Sequence, residues 1–217
     1  MRQQQRGFTL IEIAIVLVII GLLLGGVLKG QELINQAKIK NIANDMNGVS
    51  VAVYAYQDRY KRLPGDDNGA ETRWGNTVAK NGDSNNVIGT AGTGYNATAA
   101  DSENRQFWAH LRLSGLITGD TSTKAGAEAQ PINAAGGIMG VQVNGLSLKG
   151  LVVCTGSLPG KIAQAVDAKF DDGSAATGNV RGMKEGTAPT DVPTDLASTT
   201  QTYVDDGSIY VICKNVF

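Results

Sequence analysis

The stretch from Phe8 to Leu28 constrains this chain more than any other. Its only strongly polar side chains are Thr9 and Glu12, and Lys29 ends the run. About 20 apolar residues carry a helix across ~30 Å of hydrocarbon. Arg2 and Arg6 precede the run with no acidic residue between them. By the positive-inside bias they hold the N-terminus in the cytoplasm, so the remainder of the chain faces outward. Glu12 breaks the apolar pattern. An ionised group near the bilayer core costs about 2.5–3.5 kcal/mol, so this carboxylate calls for a partner. A cleaved secretory signal would have a shorter apolar core and then a small-residue cleavage site. Here helix-forming residues continue from Lys29 to Ile39. A plain single-pass anchor would require neither Glu12 nor the Gly7–Phe8 junction.

Gly7, Phe8, Thr9, Leu10, Ile11 and Glu12 follow the short basic leader as GFTLIE. This segment resembles, residue by residue, the N-terminal signature of type IV prepilins and type II secretion pseudopilins. The resemblance implies cleavage by a prepilin peptidase between Gly7 and Phe8 and N-methylation of the new terminal Phe8. It implies that Glu12 meets the Phe8 amine of a neighbouring subunit, so that docking satisfies the carboxylate and selects the register. It also implies polymerisation with copies of itself and related pilins, driven by an inner-membrane assembly platform with an ATPase. The expected fold is α+β and pilin-like, a long N-terminal helix on a small antiparallel sheet with a loop-rich head. The chain is expected to sit first in the bacterial inner membrane and then in an extracellular filament.

The residue pattern divides the chain into a leader at 1–7, a membrane and filament-core helix at 8–28, an amphipathic continuation at 29–62 and a head at 63–217. No proline precedes Pro64, so nothing forces a break before about Tyr60. Ile39, Ile42, Ala43, Met46, Val49, Val53, Tyr56 and Tyr60 recur every three or four residues, the period of a helix with one buried face. Gly21, Gly25, Gly26 and Gly30 weaken a helix in water by about 1 kcal/mol each, but small residues let helices approach closely in lipid. Leu63-Pro64-Gly65-Asp66 reads as the turn that ends the helix, with Trp74 anchoring the loop beyond it.

With 28 glycines, 6% aromatic residues and a net charge of −1, the head is expected to be loop-rich, with no overall electrostatic bias toward nucleic acid. Asp101 or Ser102 caps a helix running to Leu113, its inner face formed by Phe107, Trp108 and Leu111. Strands are expected at 138–143, 147–154 and 208–213, a short helix at 160–169, and loops at 118–135 and 175–192. Cys154 and Cys213 are the only cysteines. An oxidising compartment favours their pairing, with free buried thiols as the alternative.

Asp66, Asp67, Asp83, Asn85 and Asn86 offer oxygens to a calcium ion, but the spacing lacks the closing glutamate of an EF-hand loop. Solvated turn carboxylates are the plainer account, and no metal or cofactor is expected. His110 is the only histidine and has no nucleophile or second ligand to suggest catalysis. No Ser/His/Asp set, phosphate loop or metal-ligand spacing points to an enzyme. Lys61 and Arg62 are the only adjacent basic pair in the sequence, a thin basis for a binding stripe. The leading reading is a type IV pilin subunit, and the alternative is a pseudopilin of a type II secretion system.

Overall fold

A computed structural model describes residues 9–89, 94–186 and 202–217. Gly7 and Phe8, the expected cleavage and methylation positions, lie outside the described residues. The chain forms two compact units, Met1–Lys38 and Ile39–Phe217. Helix α1 covers Leu10–Tyr60 and contributes to both. Among the described residues it is the one helix long and apolar enough to cross a membrane, with a mean hydropathy of 2.8.

Among the described residues of the first unit, the large apolar side chains are exposed. Leu10 is 92% exposed and Leu22 73%. The space around Gly21, Gly25, Gly26 and Gly30 is open. The run closes on a polar turn where Lys29 pairs with Glu32 at 2.7 Å and Gln36 donates to Glu32. An exposed pair of this kind contributes at most about 1 kcal/mol.

The second unit holds the core. Ile42, Met46, Val49, Val53 and Tyr56 of α1 are all buried, on the face that the sequence period assigns to them. They pack with Phe107, Trp108 and Leu111 of a later helix and with one face of a four-stranded sheet. The elements after α1 are α2 (Ala70–Trp74), α3 (Glu103–Leu113), α4 (Lys124–Glu128), β1 (Met139–Gly145), β2 (Leu148–Pro159), α5 (Gly160–Phe170), β3 (Val180–Lys184) and β4 (Ile209–Asn215). The sheet is antiparallel with strand order β1-β2-β4-β3.

Strand alternation divides the side chains between the two faces. Met139, Val141, Leu151, Val153 and Ile212 join the α1 core, whereas Val152, Cys154, Val211 and Cys213 pack with Tyr95, Leu146 and Leu148 in a second cluster. Leu158 joins the α1 core although its even number would place it on the other face. The β2–β4 register slips between Thr155 and Leu158, and Ser157 takes φ 57° there. One extra residue in a strand reverses the facing of everything after it. The bulge thus turns Leu158 into the α1 core, while Val152 and Cys154 of the same strand face away from it.

Three expectations need correction. Residues 118–135 contain the short helix α4, capped where the Thr123 hydroxyl accepts from the Gly126 amide at 3.1 Å. The expected loop at 175–192 contains strand β3, and its residues from 187 onward lie outside the described residues. A short helix, α2, follows the Pro64 turn, and Trp74 at its end packs near Tyr56, Tyr60 and His110. That turn requires glycine at position 65, where φ is +91° and a Cβ would stand 2.5 Å from the Glu103 carbonyl oxygen.

Candidate functional site

The N-terminal end of α1 carries the polar pair that the sequence singles out. Thr9 immediately precedes Leu10, the first helical residue. The Glu12 carboxylate accepts from the Thr9 amide at 2.8 Å and from the Thr9 hydroxyl at 2.7 Å, both on Oε2. In return the Glu12 amide faces the Thr9 hydroxyl oxygen at 3.4 Å. This is a reciprocal capping box, in which a helix's first residues satisfy one another's unpaired donors.

The arrangement revises the picture of Glu12 as an acid without a local partner. Within one chain, Thr9 supplies two donors to Oε2, and Oε1 makes no hydrogen bond among the described residues. The carboxylate is thus held in a fixed orientation with one oxygen open. The Thr-x-x-Glu spacing of Thr9 and Glu12 was available in the sequence as a capping signal. It was obscured because the same two residues sit inside a membrane-length run.

The two cysteines are joined. Cys154 of β2 and Cys213 of β4 stand directly opposite each other in the sheet and form a disulfide. The bond links the two central strands on the face away from α1.

The candidate oxygen ligands separate into two groups. Asp66 and Asp83 come together with Glu103, which sequence reasoning did not include, their nearest oxygens lying within 4.8 Å of one another. Asp66 accepts from the Asn85 and Asn86 amides at 3.1 and 2.7 Å. Glu103 accepts from the Asp83 and Gly89 amides at 3.1 and 2.7 Å. These carboxylates thus tie the 83–89 loop to the Pro64 turn and to the start of α3, and burial pushes both Asp66 and Glu103 above the usual carboxylate range. Asn85 and Asn86 contribute backbone amides to Asp66 and no side-chain oxygen.

Asp67 faces elsewhere. It is buried and accepts from the Tyr56 hydroxyl at 2.7 Å, from the Gly69 amide at 2.8 Å and from Arg73. Burial opposes its charge, but these donors and the Arg73 cation hold its carboxyl below the usual range. His110 packs beside this group, its ring stacked on Tyr56. The Gly65 amide donates to Nδ1 at 2.8 Å, so Nε2 carries the proton and donates to the Lys80 carbonyl at 2.8 Å. Burial pushes the imidazole down to about 4, and the neutral ring pins the Pro64 turn to the following loop. This is a structural histidine with both nitrogens used.

A second acidic group, Asp167, Asp171 and Asp172, closes the end of α5. Asp167 is buried and accepts from the Tyr203 hydroxyl at 2.6 Å and from the Gly173 amide at 3.0 Å. Burial, reinforced by the neighbouring Asp171 carboxyl, pushes Asp167 up to about 7. A carboxyl so raised keeps its proton in the folded state after the unfolded chain has released it. Its stabilising effect is present below the unfolded value of 3.8 and is lost as pH rises through about 7. Asp167→Asn keeps an acceptor for Tyr203 but cannot titrate. Thermal unfolding from pH 4 to 8 should show the wild type losing stability relative to Asp167→Asn as pH rises. A difference that does not vary with pH would remove this account of the carboxyl.

Residues 2–28 match the family model described as the prokaryotic N-terminal methylation motif. This N-terminus carries a type IV prepilin/pseudopilin-type signature. No curated protein and no solved structure matches the chain. The motif supports a precursor of the type IV pilin or pseudopilin class. It implies processing by prepilin peptidase and polymerisation with related pilins. The apolar N-terminal helix fits membrane anchoring, and the long helix with its four-stranded antiparallel sheet is an α+β, pilin-like layout.

Proposed function

We propose that this chain is a type IV pilin subunit. The observation that carries the reading is the unpartnered apolar surface of α1 next to the Thr9–Glu12 capping box. So large an apolar surface is stable only in lipid or against other helices. The subunit waits in the inner membrane as a single-pass protein with its head outside. Prepilin peptidase removes residues 1–7 and the new Phe8 amine is methylated. The Phe8 amine of one subunit then pairs with Glu12 of the next, and an ammonium in apolar surroundings is favoured only beside such a carboxylate.

The assembly platform and its ATPase supply the work, since no nucleotide motif occurs in the sequence. The Gly- and Asn-rich loops decorate the outside of the fibre. The Cys154–Cys213 bridge supports a pilus over a secretion pseudopilus, because it resembles the disulfide-bounded region of many pilins.

Co-expression with a prepilin peptidase tests the first step. The wild-type chain should shorten by its leader, whereas Gly7→Leu should remain full length, because the junction no longer fits a site that takes glycine. Equal shortening of both chains would refute cleavage at Gly7–Phe8.

A further inference from the structure

Three acids of the second unit crowd together without a cation. The nearest carboxylate oxygens of Asp66, Asp83 and Glu103 all lie within 4.8 Å of one another. None of the three forms an ion pair among the described residues. The Asp83 and Asp66 charges repel the Glu103 carboxyl and add to the upward push of burial. Solvated turn carboxylates do not describe this group, because Asp66 is only 1% exposed and Glu103 is partly buried.

Backbone amides hold these acids without using them up. Each oxygen of Asp66 accepts one amide, from Asn85 or Asn86, and each oxygen of Glu103 accepts one, from Asp83 or Gly89. A carboxylate oxygen carries two lone pairs, so every one of these oxygens keeps a lone pair for a further partner.

An independent observation comes from Asn104, the second residue of α3. Asp83, Glu103 and Asn104 line one cleft of about 340 Å³. Asn104 is only 1% exposed. Its Nδ2 donates to the Val141 carbonyl of β1 at 2.7 Å, but its Oδ1 accepts from nothing among the described residues. Buried side-chain oxygens normally find a partner. With Nδ2 spent on β1, Oδ1 is the arm of this amide left to serve the cleft. Beside three acids whose charge nothing offsets, an unclaimed neutral oxygen is the kind of further ligand a hard cation takes.

We infer that Asp66, Asp83, Glu103 and Asn104 form a calcium site. Ligands on opposite sides of a calcium ion, each at 2.3–2.6 Å, stand about 5 Å apart, which matches the spread of the three carboxylates. Calcium accepts a mixed and irregular set of carboxylate and amide oxygens, whereas magnesium demands a near-ideal octahedron. Asp83 is exposed, so water reaches the ion from that side and completes its shell. The bound ion ties the Pro64 turn, the 83–89 loop and the start of α3 through one centre. A site so open binds weakly, with a Kd on the order of 10⁻⁴–10⁻³ M.

The full chain in detergent micelles, stripped with a chelator and then supplied with calcium chloride, tests the site. At 10 mM calcium, roughly ten to a hundred times that Kd, the midpoint of thermal unfolding should rise by roughly 3–10 °C, and titration calorimetry should give one ion per chain. Magnesium chloride at the same concentration should give less than half that rise. Asp83→Asn removes one charge at an exposed position and should weaken calcium binding about tenfold or more. Asp172→Asn, in the separate acidic group at the end of α5, should leave binding unchanged. A wild-type chain whose midpoint does not move with calcium would overturn the site, and so would an equal rise with magnesium. Loss of binding in Asp172→Asn with normal binding in Asp83→Asn would overturn it as well.

Discussion

Glu12→Ala should leave the subunit in the membrane at normal or higher level and reduce fibre yield by roughly tenfold or more, the loss expected when a buried charged partner is left unpaired. The two effects have opposite signs because the carboxylate opposes insertion and favours assembly. Removing it spares the bilayer an acid that costs about 2.5–3.5 kcal/mol on insertion scales. In the proposed assembly, removing it also strands the Phe8 amine of the next subunit.

The capping box complicates the alanine result, since Glu12 also satisfies the Thr9 amide and hydroxyl. Losing a cap typically costs about 1 kcal/mol, which could unravel the first turn. Glu12→Gln separates the two roles. Its amide oxygen still accepts from Thr9, but it offers no charge. The account expects Glu12→Gln to fail in assembly nearly as badly as Glu12→Ala. Wild-type fibre yield from Glu12→Gln would assign Glu12 to capping alone.

The second large effect concerns the head. Replacing Cys154 with Ser should destabilise the second unit by about 2–5 kcal/mol. The bridge closes a loop with a sequence separation of 59, and a loop of that size accounts for about 4 kcal/mol in the chain-entropy view. For a unit of this size the midpoint of thermal unfolding should fall by roughly 5–15 °C. The expected pattern across variants is more telling than the size. Cys154→Ser, Cys213→Ser and the double variant remove the same bond, so their losses should be nearly equal and far from additive. Calorimetry of the three variants checks this. Losses that add would show that the cysteines act as separate packing residues and not through one bond.

The long helix and its buried face were legible because Ile42, Met46, Val49, Val53 and Tyr56 repeat at the helical period without an intervening proline. The strands flanking the disulfide were legible for a similar reason, since runs of Val, Leu, Ile and Tyr favour a pleated, half-buried surface.

Strand β3 was not legible. Val180-Arg-Gly-Met-Lys has a glycine at its centre and little alternation, and it forms because β4 offers an edge to pair with. Gly182 sits where a Cβ would come 2.4 Å from the Tyr203 hydroxyl, a requirement set by a residue twenty-one positions away. The bulge that turns Leu158 inward was equally hidden, because it depends on pairing between distant strands.

At the candidate site, the sequence pointed to Glu12 but not to its local partner. In the sequence Thr9 stands within a processing signature, and its role as a helix cap emerges only from the structure. Glu103 is not legible in the sequence as a neighbour of Asp66 and Asp83, because helix α3 brings it to them only in the fold.

The most direct test is the N-terminal mass of the subunit recovered from fibres sheared off cells. The account predicts a chain that begins at Phe8 and carries one methyl group on its amine. A fibre subunit that still begins at Met1, or recovery of the protein only as an uncut membrane-bound monomer, would contradict it.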